Sequence, residues 1–190
     1  MTPSPMRHPN LLDIDNAVLV VVDLQEAFRP VICEFEQVVA RTATMLRGAE
    51  LLNLPVLLTE QSPQKLGATV AELMSVLPRG AAPIDKTAFS SCGASVFVEQ
   101  LQRLSRRQVM LCGIEAHVCV NQTAHDLLAG GYQVHALADC ISSRTPANRE
   151  IGLAKMTASG ALPCTSELAL FELMRDARHE QFRAISKLVK

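Results

Sequence analysis

The sequence lacks a surplus of either charge: 18 Lys and Arg stand against 19 Asp and Glu, a formal net charge of −1 over 190 residues. Hydrophobic residues make up 48% and charged residues 19%, the balance of a globular chain without the basic footprint that nucleic acid or an anionic membrane requires. A small-molecule partner is expected instead. Long apolar runs are missing too, since none reaches the roughly 18 residues of a membrane span. The first ten residues, MTPSPMRHPN, hold no apolar core of signal-peptide length and read as a disordered leader. The rest is long enough for one sizeable core, so a single domain is expected over residues 11–190. No C-x-x-C occurs among Cys33, Cys92, Cys112, Cys119, Cys140 and Cys164, and their spacing offers neither a zinc knuckle nor a disulfide framework. Reduced thiols in a cytoplasmic protein are the corresponding expectation. A G-x-G-x-x-G turn is also absent: the first apolar run leads into DLQEAF, with no close backbone approach to the pyrophosphate of a dinucleotide.

What is present is a repeating alternation of short β-branched runs and amphipathic stretches, the pattern of a mainly parallel sheet with helical crossovers. AVLVVVDLQ (17–25) is the first run and PVLLTEQ (55–61) the second. Between them, residues 31–53 read as a helix with Val38, Met45, Leu46, Leu51 and Leu52 on its apolar stripe. APIDKTAFS (82–90) is a weaker strand, and QVMLCGIE (108–115) and YQVHALAD (132–139) are clear ones. A helix over about residues 118–129 separates the last two, and the Gly130, Gly131 pair should stop it. ALPCT (161–165) is a sixth strand, followed by helices over SELALFELMRDA and HEQFRAISKLVK. Six strands interleaved with helices predict one open α/β domain, a Rossmann-like, doubly wound three-layer sandwich with a six-stranded mainly parallel sheet. In that architecture ligands bind outside the carboxyl ends of the strands, so residues just past those ends are the functional candidates.

Three strand ends carry chemistry. Asp23 follows six consecutive apolar residues, where a carboxylate needs a partner or a turn to cap. Lys86 ends the third strand, and taken alone reads as a surface residue. Cys119 falls in the first turn of the helix after the fourth strand, where unpaired N–H groups and the helix dipole are expected to lower a thiol's pKa. Cys112 and Cys164 lie within strands and read as inert core, and Cys33, Cys92 and Cys140 as structural. Histidine is the usual base for a nucleophilic cysteine, so His117, two residues before the thiol, and His125, six after it, are weighed beside Asp23. A carboxylate, an ammonium and a thiol at three strand ends form a set that none of them makes alone.

With these residues in place, the chain resembles the isochorismatase-like cysteine hydrolases, and within them the metal-independent subgroup of isochorismatase-domain-containing proteins. The matching segments are VVDLQEAF, LLTEQSPQKLGATVAEL, DKTAFSSCG, LCGIEAHVCVNQTAHDLL, LADCISSRTPANREIGLAKM and GALPCTSELALFELMRDARHEQFRAISKLVK. The resemblance implies Asp23 as general base, Lys86 as its charged partner and Cys119 as nucleophile. It also implies a cis peptide between Ile114 and Glu115, with N–H groups near Glu115 and Cys119 turned to an oxyanion, and a homo-oligomeric assembly. Nicotinamidases of this superfamily carry an Asp-x-His metal motif after the second strand. Here that place reads Thr59, Glu60, Gln61, Ser62, Pro63, and no histidine lies between His8 and His117. No metal and no cofactor is therefore expected.

The implied reaction is hydrolysis of a small amide or related acyl compound through a thioester on Cys119. Vinyl-ether hydrolysis of the isochorismate type, which needs a proton donor and no thiol, is the alternative within enzymes. A binding or scaffold protein that keeps the fold is the alternative outside them. Phe28, Glu60, Gln61 and His117 are candidates for the wall of the substrate pocket, against core packing for Phe28 and loop capping for Glu60 and Gln61. Asp139, Ser142, Ser143 and Arg144 after the fifth strand are candidates to touch substrate or a neighbouring subunit, with a turn and capping role for a helix from about Pro146 as the favoured reading, and Thr165 and Ser166 read as caps of the penultimate helix.

Overall fold

A computed structural model describes residues 8–190. Of the segment read as a leader, residues 1–7 lie outside the described residues. Residues 8–10 are exposed, and Leu11 N donates to His8 O at 3.1 Å.

Six strands form one sheet: β1 (Ala17–Val22), β2 (Val56–Gln61), β3 (Pro83–Lys86), β4 (Gln108–Gly113), β5 (Gln133–Ile141) and β6 (Leu162–Cys164). Their order is β3-β2-β1-β4-β5-β6 and every neighbouring pair is parallel. The all-apolar composition of β1 follows from its place: it lies between β2 and β4 and all six residues are buried, as the near-continuous Val and Leu of a doubly covered parallel strand require. After β1 the chain adds β2 and β3 on one side, then crosses back to lay β4 against the other side of β1. The gap between the ends of β1 and β4 is thus the topological switch point, where an open α/β sheet leaves a crevice.

Among the described residues eight α-helices connect and flank the strands: α1 (Phe35–Leu51), α2 (Pro63–Leu66), α3 (Ala71–Met74), α4 (Ser95–Arg103), α5 (Cys119–Ala129), α6 (Pro146–Ala158), α7 (Ser166–Met174) and α8 (Phe182–Leu188). The longest, α1, buries Val38, Val39, Thr42, Met45, Leu46 and Ala49 at helical spacing, packed on β4, β5, α7 and α8. Two helix starts are capped by threonine side chains, α7 by the expected Thr165 and α6 by Thr145, not by Asp139, Ser142, Ser143 or Arg144. Thr145 accepts from Asn148 N with Pro146 at the first position of α6, and Thr165 accepts from Leu168 N at α7. Ser166 N donates to Asp139 Oδ1 at 2.8 Å, which ties the end of β5 to the start of α7.

Several boundaries differ from the sequence reading for local reasons. β1 stops at Val22, three residues early, because Asp23 turns to φ 55°. α7 stops at Met174, because Arg175 takes φ 65° and ends the hydrogen-bond ladder. α4 was not anticipated; only Phe97 and Leu101 of its nine residues are buried, which leaves a weak apolar stripe. At the switch point Gly113 has φ +116°, and a Cβ there would sit 2.0 Å from Val22 O. Only glycine lets β4 pass this close to the end of β1.

Candidate active site

The site is built where β1, β2, β3 and the β4 to α5 turn converge. Asp23, in the left-handed region that Asp tolerates better than most residues, donates its N–H to Thr59 O at 3.1 Å and is 1% exposed. Its carboxylate is gripped from two sides. Lys86 Nζ donates to Oδ2 at 2.7 Å, and Thr59 Oγ1 donates to Oδ1 at 2.9 Å. The register explains both: Val22 pairs with Thr59, and Gln61 with Lys86. Lys86 also donates to Gln61 Oε1 at 2.7 Å, Phe89 O at 3.0 Å and Ala88 O at 3.2 Å. That many acceptors satisfy the buried ammonium, which is what lets a buried ion pair persist. Lys86 is thus buried and paired, not the solvated lysine that its position alone suggested.

Cys119 opens α5, whose start at Val118 has no side-chain cap. The Ile114–Glu115 peptide bond is cis. Among the described residues no acceptor takes the N–H of Glu115 or of Cys119, whereas those of Val118 and Val120 both donate to Glu115 O. Gly152 allows α6 to press on this turn, since a Cβ there would lie 2.7 Å from Ala116 O.

The electrostatics differ from the expectation at Cys119. Burial, and then the negative charge of Asp23, push its thiol up to about 12; Lys86 offsets only part of this. The helix terminus does not outweigh desolvation, so the resting thiol keeps its proton at neutral pH. Burial likewise raises the Asp23 carboxyl above the usual carboxylate range, partly offset by Lys86, Thr59 and the Cys119 thiol. A protonated thiol thus sits beside a carboxylate whose proton affinity is raised. Behind them, Ser91 N donates to Thr123 Oγ1 at 2.9 Å, and the Ser91 hydroxyl lies 3.4 to 3.5 Å from those of Thr123 and Thr59. This buried cluster links Thr59, the partner of Asp23, to α5, one turn beyond Cys119.

Cys119 lines a cavity of about 450 Å³ whose walls are Phe28, Leu66, Phe89, Ile114 and Val118. Gln61, Ser62, Lys65, Glu115 and Arg144 are its polar lining. Glu115 is buried and binds Arg144 through two side-chain contacts, Nη2 to Oε1 at 2.6 Å and Nε to Oε2 at 3.0 Å. Burial works to raise the Glu115 carboxyl, but the Arg144 bonds hold it below its usual range. A slightly larger cavity of about 480 Å³ lies against Arg107 and Tyr132, next to the amino ends of β4 and β5 and away from these groups.

Of the four residues considered for the pocket wall, Phe28 and Gln61 line the cavity. Glu60 does not; its carboxylate accepts from Thr69 N and Oγ1 at 2.6 and 2.7 Å, because the turn after β2 needs its N–H satisfied. His117 is also outside the lining, with Nδ1 3.0 Å from Ser143 Oγ, and His125 bridges Asn121 O and Ser159 Oγ. Of Asp139, Ser142, Ser143 and Arg144, weighed between substrate contact and capping, Arg144 lines the cavity. Thr59, Lys65, Phe89 and Thr123 were not singled out from the sequence, and only the strand register could have suggested Thr59. Among the described residues no group of three or more His, Cys, Asp or Glu could hold a metal ion, and no helix is long and apolar enough to cross a membrane.

Comparison with known proteins agrees with this geometry at the level of fold and family. The isochorismatase domain matches residues 17–167. Mouse isochorismatase domain-containing protein 2A is 46% identical over 177 residues, 93% of this chain and 84% of the mouse protein. The structure of MAR1 ribonuclease from Caenorhabditis elegans superposes with a TM-score of 0.90 at 36% identity, covering 94% of this chain and 92% of that one. The YcaC gene product of Escherichia coli, described as an octameric hydrolase of unknown specificity, shares the fold with a TM-score of 0.88 at 22% identity, covering 96% and 91%. With the domain match spanning most of its length and a relative this similar over nearly all of it, the chain belongs to the isochorismatase domain family.

Proposed function

We propose that the chain is a cysteine hydrolase that cleaves the C–N bond of a small amide, or a related acyl bond, through a thioester on Cys119. The observation that carries this reading is the Asp23 carboxylate, held by Lys86 at 2.7 Å and Thr59 at 2.9 Å, beside a thiol at the cavity wall that burial pushes up to about 12. Asp23 takes the thiol proton as sulfur attacks the carbonyl, so the negative charge moves from carboxylate to thiolate while Lys86 remains beside it. The N–H groups of Glu115 and Cys119 are available to the tetrahedral oxyanion. Collapse expels the amine, which leaves with the proton from Asp23. Water, deprotonated by the same carboxylate, then releases the acid and restores the thiol. Ammonia release from a panel of primary amides, measured for the wild type and Cys119→Ala, tests the reading. Turnover equal in the two proteins would end it.

The pH profile gives a second check. Asp23 must be ionised to act, and its carboxyl lies above the ordinary 3.8, so kcat/KM falls as pH drops through a value above that of a free aspartate. Thr59→Val removes a hydrogen bond to the ionised form. A bond of that kind is worth about 1.5–3 kcal/mol, so the acidic limb moves up by about one pH unit or more. A limb that stays in place would contradict Asp23 as the base.

One observation favours a second reading: a carboxyl raised by burial is also a fit proton donor, as vinyl-ether hydrolysis requires. Turnover of isochorismate by Cys119→Ala would support it. The ribonuclease name of the C. elegans protein suggests a third. A polyanion needs several cations along its track, whereas this chain has net charge −1 and an apolar-walled cavity. Six free cysteines support a reducing, cytoplasmic setting. Exposed Phe89, Val96 and Ile151, at 54, 51 and 66%, support a homo-oligomer that covers part of this surface.

A further inference from the structure

An ammonium has three N–H groups to donate, and Lys86 Nζ has four acceptors in reach: Asp23 Oδ2 and Gln61 Oε1, both at 2.7 Å, Phe89 O at 3.0 Å and Ala88 O at 3.2 Å. Only Asp23 brings a charge. The Gln61 bond is as short as the bond to the carboxylate, although the other three acceptors alone would match the three N–H groups. Its direction is fixed. Gln61 Nε2 donates to Thr87 O at 2.8 Å, which turns the oxygen of the carboxamide, and not the nitrogen, toward Lys86. The backbone of the same residue is held by the fully buried Gln25 side chain, which accepts from Gln61 N at 2.7 Å and donates to Gln61 O at 3.1 Å. Gln61 also lines the cavity, whereas the Lys86 side chain is 0% exposed. A neutral oxygen is thus held against the ammonium on the side from which substrate arrives.

We propose that Gln61 is a positioning residue that acts through Lys86: it satisfies the ammonium on the cavity side with an uncharged oxygen, so the whole positive charge stays with Asp23 and then with the Cys119 thiolate. The proposal rests on the hydrolase reading for the proton transfer, in which the S–H bond of Cys119 breaks, an O–H bond forms on Asp23 and the electron pair stays on sulfur. The charged and titratable side chains that face Asp23 are Lys86 from β3 and Cys119 from α5. From β2 it meets the neutral Thr59, while the Glu60 carboxylate on that strand is turned to Thr69. A carboxylate in place of Gln61 would divide Lys86 between two anions and set a like charge beside the base.

The test titrates Asp23 by NMR of the aspartate carboxyl carbons in the wild type, Gln61→Glu and Gln61→Met, with Asp23→Asn to assign the signal. Gln61→Glu is isosteric and should keep the wild-type circular dichroism, but raise the pH at which Asp23 titrates by about one unit or more, the effect of a nearby like charge. Gln61→Met offers neither acceptor nor charge, and the remaining acceptors still satisfy Lys86, so Asp23 should titrate no higher than in the wild type. Loss of packing alone would act on both variants in the same direction. Asp23 titrating at the wild-type pH in Gln61→Glu, or any rise in Gln61→Met, would overturn the proposal. Ammonia release from the amide panel is measured in parallel. Titrations that move as expected while no amide is turned over would remove the hydrolase reading and leave Gln61 in control of the ion pair. Turnover with Asp23 unmoved in Gln61→Glu would do the reverse.

Discussion

Cys119→Ala is expected to fold normally and to hydrolyse amides at least about 10⁴-fold more slowly than the wild type, the scale of loss seen when a covalent nucleophile is removed. The substitution removes one sulfur from the wall of a cavity, so little packing is lost and the thermal midpoint should move by only a few degrees. Cys119→Ser is the sharper control. A hydroxyl is a similar size but holds its proton more tightly than a thiol, and Asp23, although its carboxyl is raised by burial, is too weak a base to take it. Both variants should therefore be inactive in an ammonia-release assay while keeping the wild-type circular dichroism. Activity in Cys119→Ser close to that of the wild type would mean that residue 119 positions substrate and does not attack it.

Lys86→Met should lower stability by about 3–5 kcal/mol, the cost of leaving one member of a buried ion pair unpaired. Lys86 and Asp23 have side chains 0% and 1% exposed, so water cannot replace the lost ammonium. The double substitution Asp23→Asn, Lys86→Met removes both charges, and Asn tolerates the φ of 55° at position 23. It should recover at least half of the loss. The pH dependence has a definite sign. Burial raises the Asp23 carboxyl, and without Lys86 nothing comparable opposes it. A raised carboxyl pKa favours folding at low pH, and that benefit disappears as pH rises through the folded-state value. The deficit of Lys86→Met relative to the wild type should therefore be small in acid and full at neutral pH. Urea denaturation across that range measures it. A deficit that is independent of pH would indicate lost packing of the lysine stem and not an unpaired carboxylate.

Why some of this was legible in the sequence and some was not follows from the range over which each signal acts. The unbroken apolar run of β1 could be read because a strand covered on both faces tolerates nothing else, and Asp23 stood out against it. The Gly130, Gly131 pair marked the end of α5 equally locally. Cys119 was placed correctly at a helix start, but the direction of its pKa was not, because a helix terminus is visible in sequence and desolvation is not. Lys86 looked like a surface residue because its four acceptors come from the residue after β1, from β2 and from the loop after β3, three segments that only the sheet order brings together. Thr59 was hidden inside an apolar strand. Glu60, Gln61 and Lys65 lie within six residues, yet Glu60 clamps a loop, Gln61 holds the lysine of the ion pair at the cavity wall and Lys65 only lines the cavity. That division depends on Gln25, which binds the loop from another strand end.

The central claim is that Asp23 draws the proton from a thiol that is otherwise difficult to ionise, and peptide mapping after brief treatment with iodoacetamide near neutral pH tests it most directly. Cys119 is 8% exposed, while Cys33 and Cys92 are more accessible. On accessibility alone those two should be modified first. Assistance from Asp23 predicts instead that the Cys119 peptide is labelled first, and that this advantage disappears in Asp23→Asn. Labelling of Cys33 and Cys92 with Cys119 untouched, or an unchanged rate at Cys119 in Asp23→Asn, would contradict it.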